Sequence, residues 1–218
     1  MIGVVIAMQS EADILLEEMQ VLRSLTVSGK TVHVGKAYGK DIALCVCGVG
    51  KVNAALGSQL LISKFDAEKL LNFGVSGGLN STTKLCEVYQ ISAATQFDFD
   101  LVQLNGTKIG TLNEYTESYL SLDLLGLPIE QRKLGTADRF NDSIDDYKLL
   151  TEELNADIRD MEGGAIVQAA YAASLPVYSV KAISDVAGSG SATEQYLINK
   201  DKALANLKKM LPSIFEKL

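Results

Sequence analysis

Three acidic residues follow short apolar runs in the chain, at points where buried strands are expected to end. These residues are Glu11, Glu162 and Asp185. Ligands of open α/β sheets bind outside the carboxyl ends of the strands, so parallel neighbouring strands would bring the three carboxyl groups to one edge. Acid–base chemistry by carboxyl groups is therefore the first chemistry that the sequence indicates.

The surroundings of these carboxyl groups favour different protonation states. Glu11 opens a predicted helix, whose positive end favours the charged carboxylate of a base. Asp185 is flanked by apolar residues, and burial raises the pKa of a carboxyl group, which would allow Asp185 to donate a proton. Structural roles fit these positions as well: Glu11 and Glu162 as capping residues at solvated helix starts, and Asp185 as a loop residue that caps a turn.

Histidine and cysteine offer little further chemistry. The single histidine, His33, lies in an alternating run and is expected on an exposed strand face. Cys45 and Cys47 share one face of a predicted strand, and Cys86 stands apart. An odd number of cysteines predicts reduced thiols in a cytoplasmic protein, and with one distant histidine they predict buried apolar side chains rather than a zinc site.

Two glycine-rich segments stand near the predicted strand ends. Gly48-Val49-Gly50-Lys51 does not match the phosphate-loop pattern, because the earlier glycine and the serine or threonine after the lysine are missing. It does not match the dinucleotide pattern either, because Asn53 occupies the place of the third glycine. The segment 74–78 fits a close approach of backbone to a ligand and fits a tight turn equally well. Its Ser76 is not a triad nucleophile, since a suitable histidine is missing.

The elements that must position these groups alternate between strands and helices. Apolar runs predict buried strands, three- and four-residue periods predict helices, and an alternating stretch predicts hairpins. Strands are predicted at 2–7, 70–73, 87–94, 134–137, 156–158 and 177–183, hairpins at 25–46, and helices at 10–19, 51–64, 145–154, 163–174 and 194–218. Ser10 is predicted to cap the first helix, with Asp13 completing a capping box. The pattern predicts an α/β fold with a mixed, mostly parallel sheet.

Composition narrows the class of protein. The chain has 218 residues, of which 47% are hydrophobic, and we expect residues 1–218 to form one domain. A net charge of −7 and four scattered arginines disfavour nucleic acid as a partner. No apolar run reaches the roughly 18 residues of a membrane helix, and no signal segment is visible, so we expect a cytoplasmic protein without a membrane partner.

Five ordered segments resemble the 5′-methylthioadenosine/S-adenosylhomocysteine nucleosidases of the nucleoside phosphorylase superfamily. They are Ala7-Met8-Gln9-Ser10-Glu11, Gly48-Val49-Gly50-Lys51-Val52-Asn53-Ala54-Ala55, Asn72-Phe73-Gly74-Val75-Ser76-Gly77-Gly78, Asp160-Met161-Glu162-Gly163 and Lys181-Ala182-Ile183-Ser184-Asp185-Val186. The resemblance implies a homodimer with a three-layer α/β/α fold. It also implies hydrolysis of the N-glycosidic bond of 5′-thio-substituted adenosines, with 5′-deoxyadenosine as a further candidate substrate, and requires no metal or cofactor.

The resemblance also implies roles for single residues. Glu11 would activate the attacking water, and Asp185, with Ser184 nearby, would protonate adenine N7. Glu162, helped by the Met161 backbone, would hold the ribose hydroxyls. These roles agree with the chemistry of glycoside cleavage, in which an acid assists the leaving group and carboxylates stabilise a cationic sugar.

Further residues are implied to contact the substrate. Phe140 would stack on the base, and the Asn141 backbone would bind the adenine edge. The remaining implied substrate contacts are Val49, Val75, Ser76 and Lys181. Two of these positions depart from the family pattern, because the hydroxyl of the glycine segment stands one residue late, at Ser76, and Lys181 replaces a common arginine, losing its bidentate fork. Tyr196 is a candidate wall for the 5′ substituent, and Leu101 and Val102 are candidates to line the pocket of a partner subunit.

Two alternatives remain open at this point. A phosphorylase on the same fold would need a cationic pocket for phosphate, whereas Glu11 would repel phosphate and suits water. A binding protein without catalysis would keep its affinity for adenine but would show no turnover, and the presence of all three carboxyl groups argues against it.

Overall fold

The computed structural model describes residues 1–79 and 82–218. Its ten strands are β1 Ile2–Ile6, β2 Gln20–Val27, β3 Lys30–Ala37, β4 Lys40–Val46, β5 Lys69–Gly78, β6 Val88–Gln96, β7 Leu120–Ser121, β8 Gln131–Thr136, β9 Ile158–Asp160 and β10 Val177–Val186. Its α-helices are α1 Gln9–Leu16, α2 Lys51–Phe65, α3 Val102–Asn105, α4 Ile144–Lys148, α5 Gly163–Ala172 and α6 Ala192–Lys217, and a π-helical turn, Leu149–Glu153, continues α4.

All ten strands join one mixed sheet around β5. Strand β1 lies between β4 and β5, and β10 lies on the other side of β5, with parallel pairing throughout this group. Strands β5, β10, β6, β8 and β9 pair in a closed circuit, in which β10–β6 and β5–β9 are antiparallel. The predicted mixed sheet is confirmed. The closure was not visible in the sequence, because pairing partners are set by tertiary contacts.

Helices cover both faces of this sheet. Alternate side chains of β1 point to opposite faces, as the pleat requires, so Val5 and Val4 join different apolar clusters. The cluster with Val5 includes residues of α2 and α5, such as Leu61, and the cluster with Val4 includes residues of α1 and α6, such as Leu207. The three-layer α/β/α arrangement is therefore confirmed.

Three local expectations need correction. Met8 rather than Ser10 caps α1, because the Glu11 carboxylate reaches back to accept the Met8 N–H. Asp185 lies within β10 instead of after it, because pairing with β5 continues to Val186 past an irregularity in register. His33 is half-buried and lies 2.7 Å from the Ser24 hydroxyl, rather than on an exposed face. None of the helices in the described residues combines the length and apolar character of a membrane span.

Candidate active site

A cavity of about 360 Å³ opens beside the carboxyl ends of β1, β5 and β10. This size suits a small organic ligand. Nine of the sequence-predicted site residues line it: Glu11, Val49, Val75, Ser76, Phe140, Met161, Glu162, Ser184 and Asp185. Lys181 and Asn141 do not line this cavity.

Glu11 is a buried carboxylate held by backbone donors. One carboxylate oxygen accepts the Met8 N–H at 3.1 Å, and the other accepts the Val75 N–H at 2.9 Å. Burial raises the pKa of Glu11, while Lys181 and these two hydrogen bonds oppose the rise. The solvated capping role is excluded by this burial, and a carboxylate with a raised pKa is a stronger general base.

Two glycines of β5 make room for the candidate acid and base. A Cβ at Gly74 would lie 2.3 Å from a Glu11 carboxylate oxygen, and a Cβ at Gly77 would lie 2.8 Å from Asp185 Oδ2. The segment 74–78 is thus the end of a strand that lacks side chains at two contact points. Close approach to two carboxyl groups, rather than a tight turn, is the requirement that these glycines meet.

Asp185 has the environment of a proton donor. It is 1% exposed, its Oδ1 lies 2.8 Å from the Ser184 hydroxyl, and its Oδ2 has no hydrogen-bond partner among residues 1–79 and 82–218. Burial raises the pKa of Asp185, and the Ser184 hydrogen bond and Arg159 oppose this rise. The protonated form is therefore favoured relative to an exposed aspartate, and the free Oδ2 can carry the proton.

Glu162 stands at the start of α5 but does not cap it with its side chain. Its carboxylate accepts the Gly50 N–H at 2.8 Å, and Asp160 accepts the Gly163 N–H instead. Burial and then the neighbouring Asp160 carboxylate raise the pKa of Glu162 to about 7. Glu162 is thus available at the cavity wall as a hydrogen-bonding group that is partly protonated near neutral pH.

Lys181 lies outside the cavity lining and balances the negative charge of the nearby carboxylates. Its Nζ lies 2.9 Å from Asp160 Oδ2, and both side chains are almost completely buried. Burial lowers the pKa of Lys181, but the carboxylates of Asp160, Glu11 and Glu162 outweigh this and leave it raised. The ammonium group therefore belongs to a buried ion pair.

Two aromatic rings form the outer wall. Phe140 is 50% exposed, and its ring centroid lies 6.0 Å from that of Tyr196, at 69°. Tyr196, the candidate wall for a 5′ substituent, also contacts Met8 through its hydroxyl, at 3.5 Å from the sulfur. The Asn141 side chain turns to Asp146, donating a hydrogen bond of 2.9 Å.

The structure adds residues that sequence reasoning missed. Arg159 and Asp160 precede Met161 and line the cavity, as do Ala7, Gly77, Thr193 and Leu197. Arg159 and Asp160 belong to a three-residue strand, β9. Such a short strand carries too little alternation to reveal which side chains face a ligand. The described residues contain no group of three or more histidine, cysteine, aspartate or glutamate side chains placed to hold a metal ion.

Comparison with known proteins gives matches along the whole chain. A model of the phosphorylase superfamily matches residues 1–216. A 5′-methylthioadenosine/S-adenosylhomocysteine nucleosidase of a Marinomonas species is 30% identical over 213 residues, covering 90% of this chain and 91% of that protein. This chain therefore belongs to the phosphorylase superfamily and, within it, to the family of 5′-methylthioadenosine/S-adenosylhomocysteine nucleosidases.

Solved structures show the same fold. The nucleosidase of Colwellia psychrerythraea in complex with adenine has a TM-score of 0.90 and 25% identity, covering 100% of this chain and 95% of that one. Futalosine hydrolase of Helicobacter pylori has a TM-score of 0.91 and 23% identity, covering 100% and 97%. The second likeness bears on the fold alone.

Proposed function

We propose that this chain hydrolyses the N-glycosidic bond of 5′-methylthioadenosine and S-adenosylhomocysteine, releasing adenine and the 5-thio-substituted ribose. In this proposal Glu11 activates the water, Asp185 protonates adenine N7 and Glu162 holds the ribose hydroxyls. The activity named for the relatives supports the substrate class. The residue roles rest on the geometry of the cavity.

One observation carries the proposal: two buried carboxyl groups of different character face one cavity. Two backbone N–H donors and the nearby Lys181 favour the charged form of Glu11 and oppose the rise in its pKa that burial causes, as a base requires. Asp185 has an unpartnered Oδ2 in a buried site, which supports a neutral acid. Carboxyl groups in contrasting environments are the arrangement by which one site carries out both acid and base chemistry.

The reaction makes matched demands on these groups. Adenine is a poor leaving group as an anion, so a proton delivered to N7 by Asp185 lowers the barrier. The ribose then develops positive charge, which the carboxylates of Glu11 and Glu162 stabilise while Glu11 takes a proton from the attacking water. General acid and general base catalysis each contribute about 10²–10⁴-fold in typical enzymes.

The rest of the wall supports a nucleoside in one orientation. Phe140 presents an exposed ring for the base, Met161 and Glu162 lie where β9 meets α5, and Ser76 lies with Val75 along β5. Lys181 acts indirectly, by holding Asp160 and lowering the cost of the nearby negative charge. Asn141 lies outside the cavity lining and its side chain is bonded to Asp146, so its proposed contact with the adenine edge is through its backbone alone.

The charge of the cavity disfavours phosphorolysis. Four carboxyl residues line it, at Glu11, Asp160, Glu162 and Asp185, whereas Arg159 is the one cationic residue of its described lining. Phosphate at the position of the attacking water would lie against Glu11. Water is therefore the nucleophile that this arrangement favours.

Product analysis tests the reaction directly. Purified protein is incubated with 5′-methylthioadenosine, with and without phosphate, and the products are separated by chromatography. We expect adenine and free methylthioribose in equal amounts under both conditions. Adenine formed only with phosphate, together with methylthioribose 1-phosphate, would contradict hydrolysis and the role of Glu11.

We also propose that residues 1–218 form one domain of a cytoplasmic homodimer. The family match along residues 1–216 supports one domain, and three free, buried cysteines are consistent with a reducing compartment. Val52 and Leu56 are exposed on α2, close in sequence to the cavity residue Val49, and they offer an apolar surface for a second subunit. Light scattering after size-exclusion chromatography should give twice the mass of the chain. A monomer at micromolar concentration would refute the dimer.

A further inference from the structure

Arg159 is a cationic residue that the proposed reaction does not use. It lies on β9 directly opposite Gly77 of β5, where a Cβ at Gly77 would come within 3.2 Å of Arg159 Nε. The same Cβ would come within 2.8 Å of Asp185 Oδ2. Gly77 therefore leaves room for the guanidinium group to lie beside the carboxyl group that faces the base.

The two groups approach each other without forming a hydrogen bond. Arg159 Nη2 lies 3.9 Å from Asp185 Oδ2, and the side chains are 11% and 2% exposed. Both of these atoms are buried, and neither has a hydrogen-bond partner within the part of the chain that the structure describes. A buried guanidinium donor without a partner is costly, since desolvation is not repaid. Because both residues line the cavity, a ligand atom is the partner that would satisfy them.

The purine edge offers two adjacent atoms to this pair. In adenine the acceptor N7 stands next to the amino group at position 6, which is a donor. In a 6-oxopurine N7 stands next to a carbonyl oxygen, so both atoms accept. A protonated Asp185 and Arg159 are two donors side by side. They match a 6-oxopurine, whereas an adenine amino group would face the guanidinium donor-to-donor.

We propose that Arg159 is a specificity-determining residue through which the base site accepts 6-oxopurine nucleosides with an apolar 5′ substituent, in addition to the adenosine derivatives. The inference rests on the proposed function, because it places N7 at Asp185. The C1′–N9 bond breaks as water oxygen bonds to C1′, one water proton passes to Glu11 and the Asp185 proton passes to N7. Hypoxanthine leaves neutral, with its carbonyl oxygen bonded to Arg159.

A second cavity lies next to Arg159, which supports the view that there is open space at this edge of the base. It has a volume of about 360 Å³ and is lined by Arg159 together with residues of the β10–α6 connection and of α4. Arg159 thus stands between the two cavities. In the proposed complex, its Nη2 would face the position-6 substituent of the base.

The test compares two substrates that differ at position 6 alone. 5′-Methylthioadenosine and 5′-methylthioinosine are supplied to the wild type, and adenine and hypoxanthine are quantified to obtain kcat/KM for each. We expect the inosine derivative to be cleaved with kcat/KM no less than one-tenth of that for the adenosine derivative. If the adenosine derivative is cleaved and kcat/KM for the inosine derivative is more than 1,000-fold lower, this inference is overturned and the proposed function still stands. Cleavage of neither substrate would contradict both.

Arg159→Met then assigns the effect to the guanidinium group. We expect the ratio of the two kcat/KM values to shift by about 10–100-fold towards adenosine, the range for one discriminating contact to a base edge. Arg23→Met, at an exposed position of β2, should leave the ratio unchanged. An unchanged ratio in Arg159→Met would show that Arg159 does not select the base.

Direct binding to the wild type covers the case in which Arg159→Met does not fold. Hypoxanthine should bind within tenfold of adenine in calorimetric titrations of the wild-type protein, because Arg159 would satisfy its carbonyl oxygen. Adenine binding more than 100-fold tighter than hypoxanthine would refute the inference. Arg159→Lys keeps the positive charge but loses the planar pair of guanidinium N–H donors, and it should retain part of the hypoxanthine affinity.

Discussion

Replacing Glu162 by glutamine should remove a specific pH dependence of stability. The pKa of Glu162 is raised from its ordinary value of 4.5 to about 7, first by burial and then by the Asp160 carboxylate. The folded protein therefore holds this proton more tightly than the unfolded chain does. Its contribution to stability is fully present below about pH 4.5 and is lost as the pH rises through about 7.

The size of the effect follows from the two pKa values. One pKa unit corresponds to about 1.36 kcal/mol, so the difference between 4.5 and about 7 corresponds to about 3 kcal/mol. Most of it, about 2–3 kcal/mol, falls between pH 5 and 8. Glutamine is neutral throughout this range and keeps an oxygen that can accept the Gly50 N–H. The free energy of unfolding of the wild type should therefore fall by this amount relative to Glu162→Gln.

Urea denaturation at a series of pH values measures this difference. The free energies of unfolding of the wild type and Glu162→Gln should diverge steadily from pH 5 to pH 8, with the variant the more stable at the alkaline end. Glu216→Gln is the matched control, because Glu216 is exposed on α6 and should give a curve parallel to the wild type. Parallel curves for Glu162→Gln would refute the argument that burial and Asp160 hold a proton on this residue.

Four further substitutions test the candidate acid, the candidate base, the glycine beside that base and the aromatic wall. Asp185→Asn keeps the shape of the side chain but cannot protonate N7, and Glu11→Gln cannot take a proton from water. Each variant should therefore lower kcat about 10²–10⁴-fold in steady-state assays with 5′-methylthioadenosine. Wild-type turnover in either variant would remove that residue from the mechanism. Gly74→Ala would place a methyl group within 2.3 Å of a Glu11 oxygen. Both kcat and the midpoint temperature of thermal unfolding should therefore fall. An unchanged kcat would show that the position of Glu11 is not critical. Phe140→Ala should raise KM by about 5–150-fold, because base–aromatic stacking contributes about 1–3 kcal/mol. An unchanged KM would contradict stacking on this ring.

Much of the layered fold could be predicted from local patterns. The apolar runs at β1 and β10 and the three- and four-residue period of α6 each mark one element, and their boundaries differ from the structure by only a few residues. Boundaries were wrong where a hydrogen-bonding partner, whether distant or near in the chain, extends or caps an element. The end of β10 at Val186 depends on pairing with β5, and the start of α1 depends on the Glu11 carboxylate.

The candidate site was predicted as a set of residues rather than as an arrangement. Nine of the eleven predicted residues line the cavity. Six of them belong to or follow the parallel strands β1, β4, β5 and β10, as α/β topology predicts, whereas Phe140, Met161 and Glu162 follow β8 and β9, and β9 pairs antiparallel with β5. Lys181 lies behind the wall because its partner is Asp160, which precedes α5. The sequence contains both residues, but nothing local in it indicates that they form an ion pair.

The sequence by itself determined the order of strands and helices and the presence of carboxyl groups near strand ends. Hydrophobic periodicity and strand-end position are local properties, so they can be seen in one segment at a time. Tertiary structure alone decided what these carboxyl groups can do. Gly74 and Gly77 leave room for Glu11 and Asp185 beside β5, Asp160 pairs with Lys181, and the Arg159 guanidinium lies 3.9 Å from Asp185. The reason is that proton affinity and ligand selection depend on burial, nearby charge and unpaired donors, which are set by residues distant in the chain.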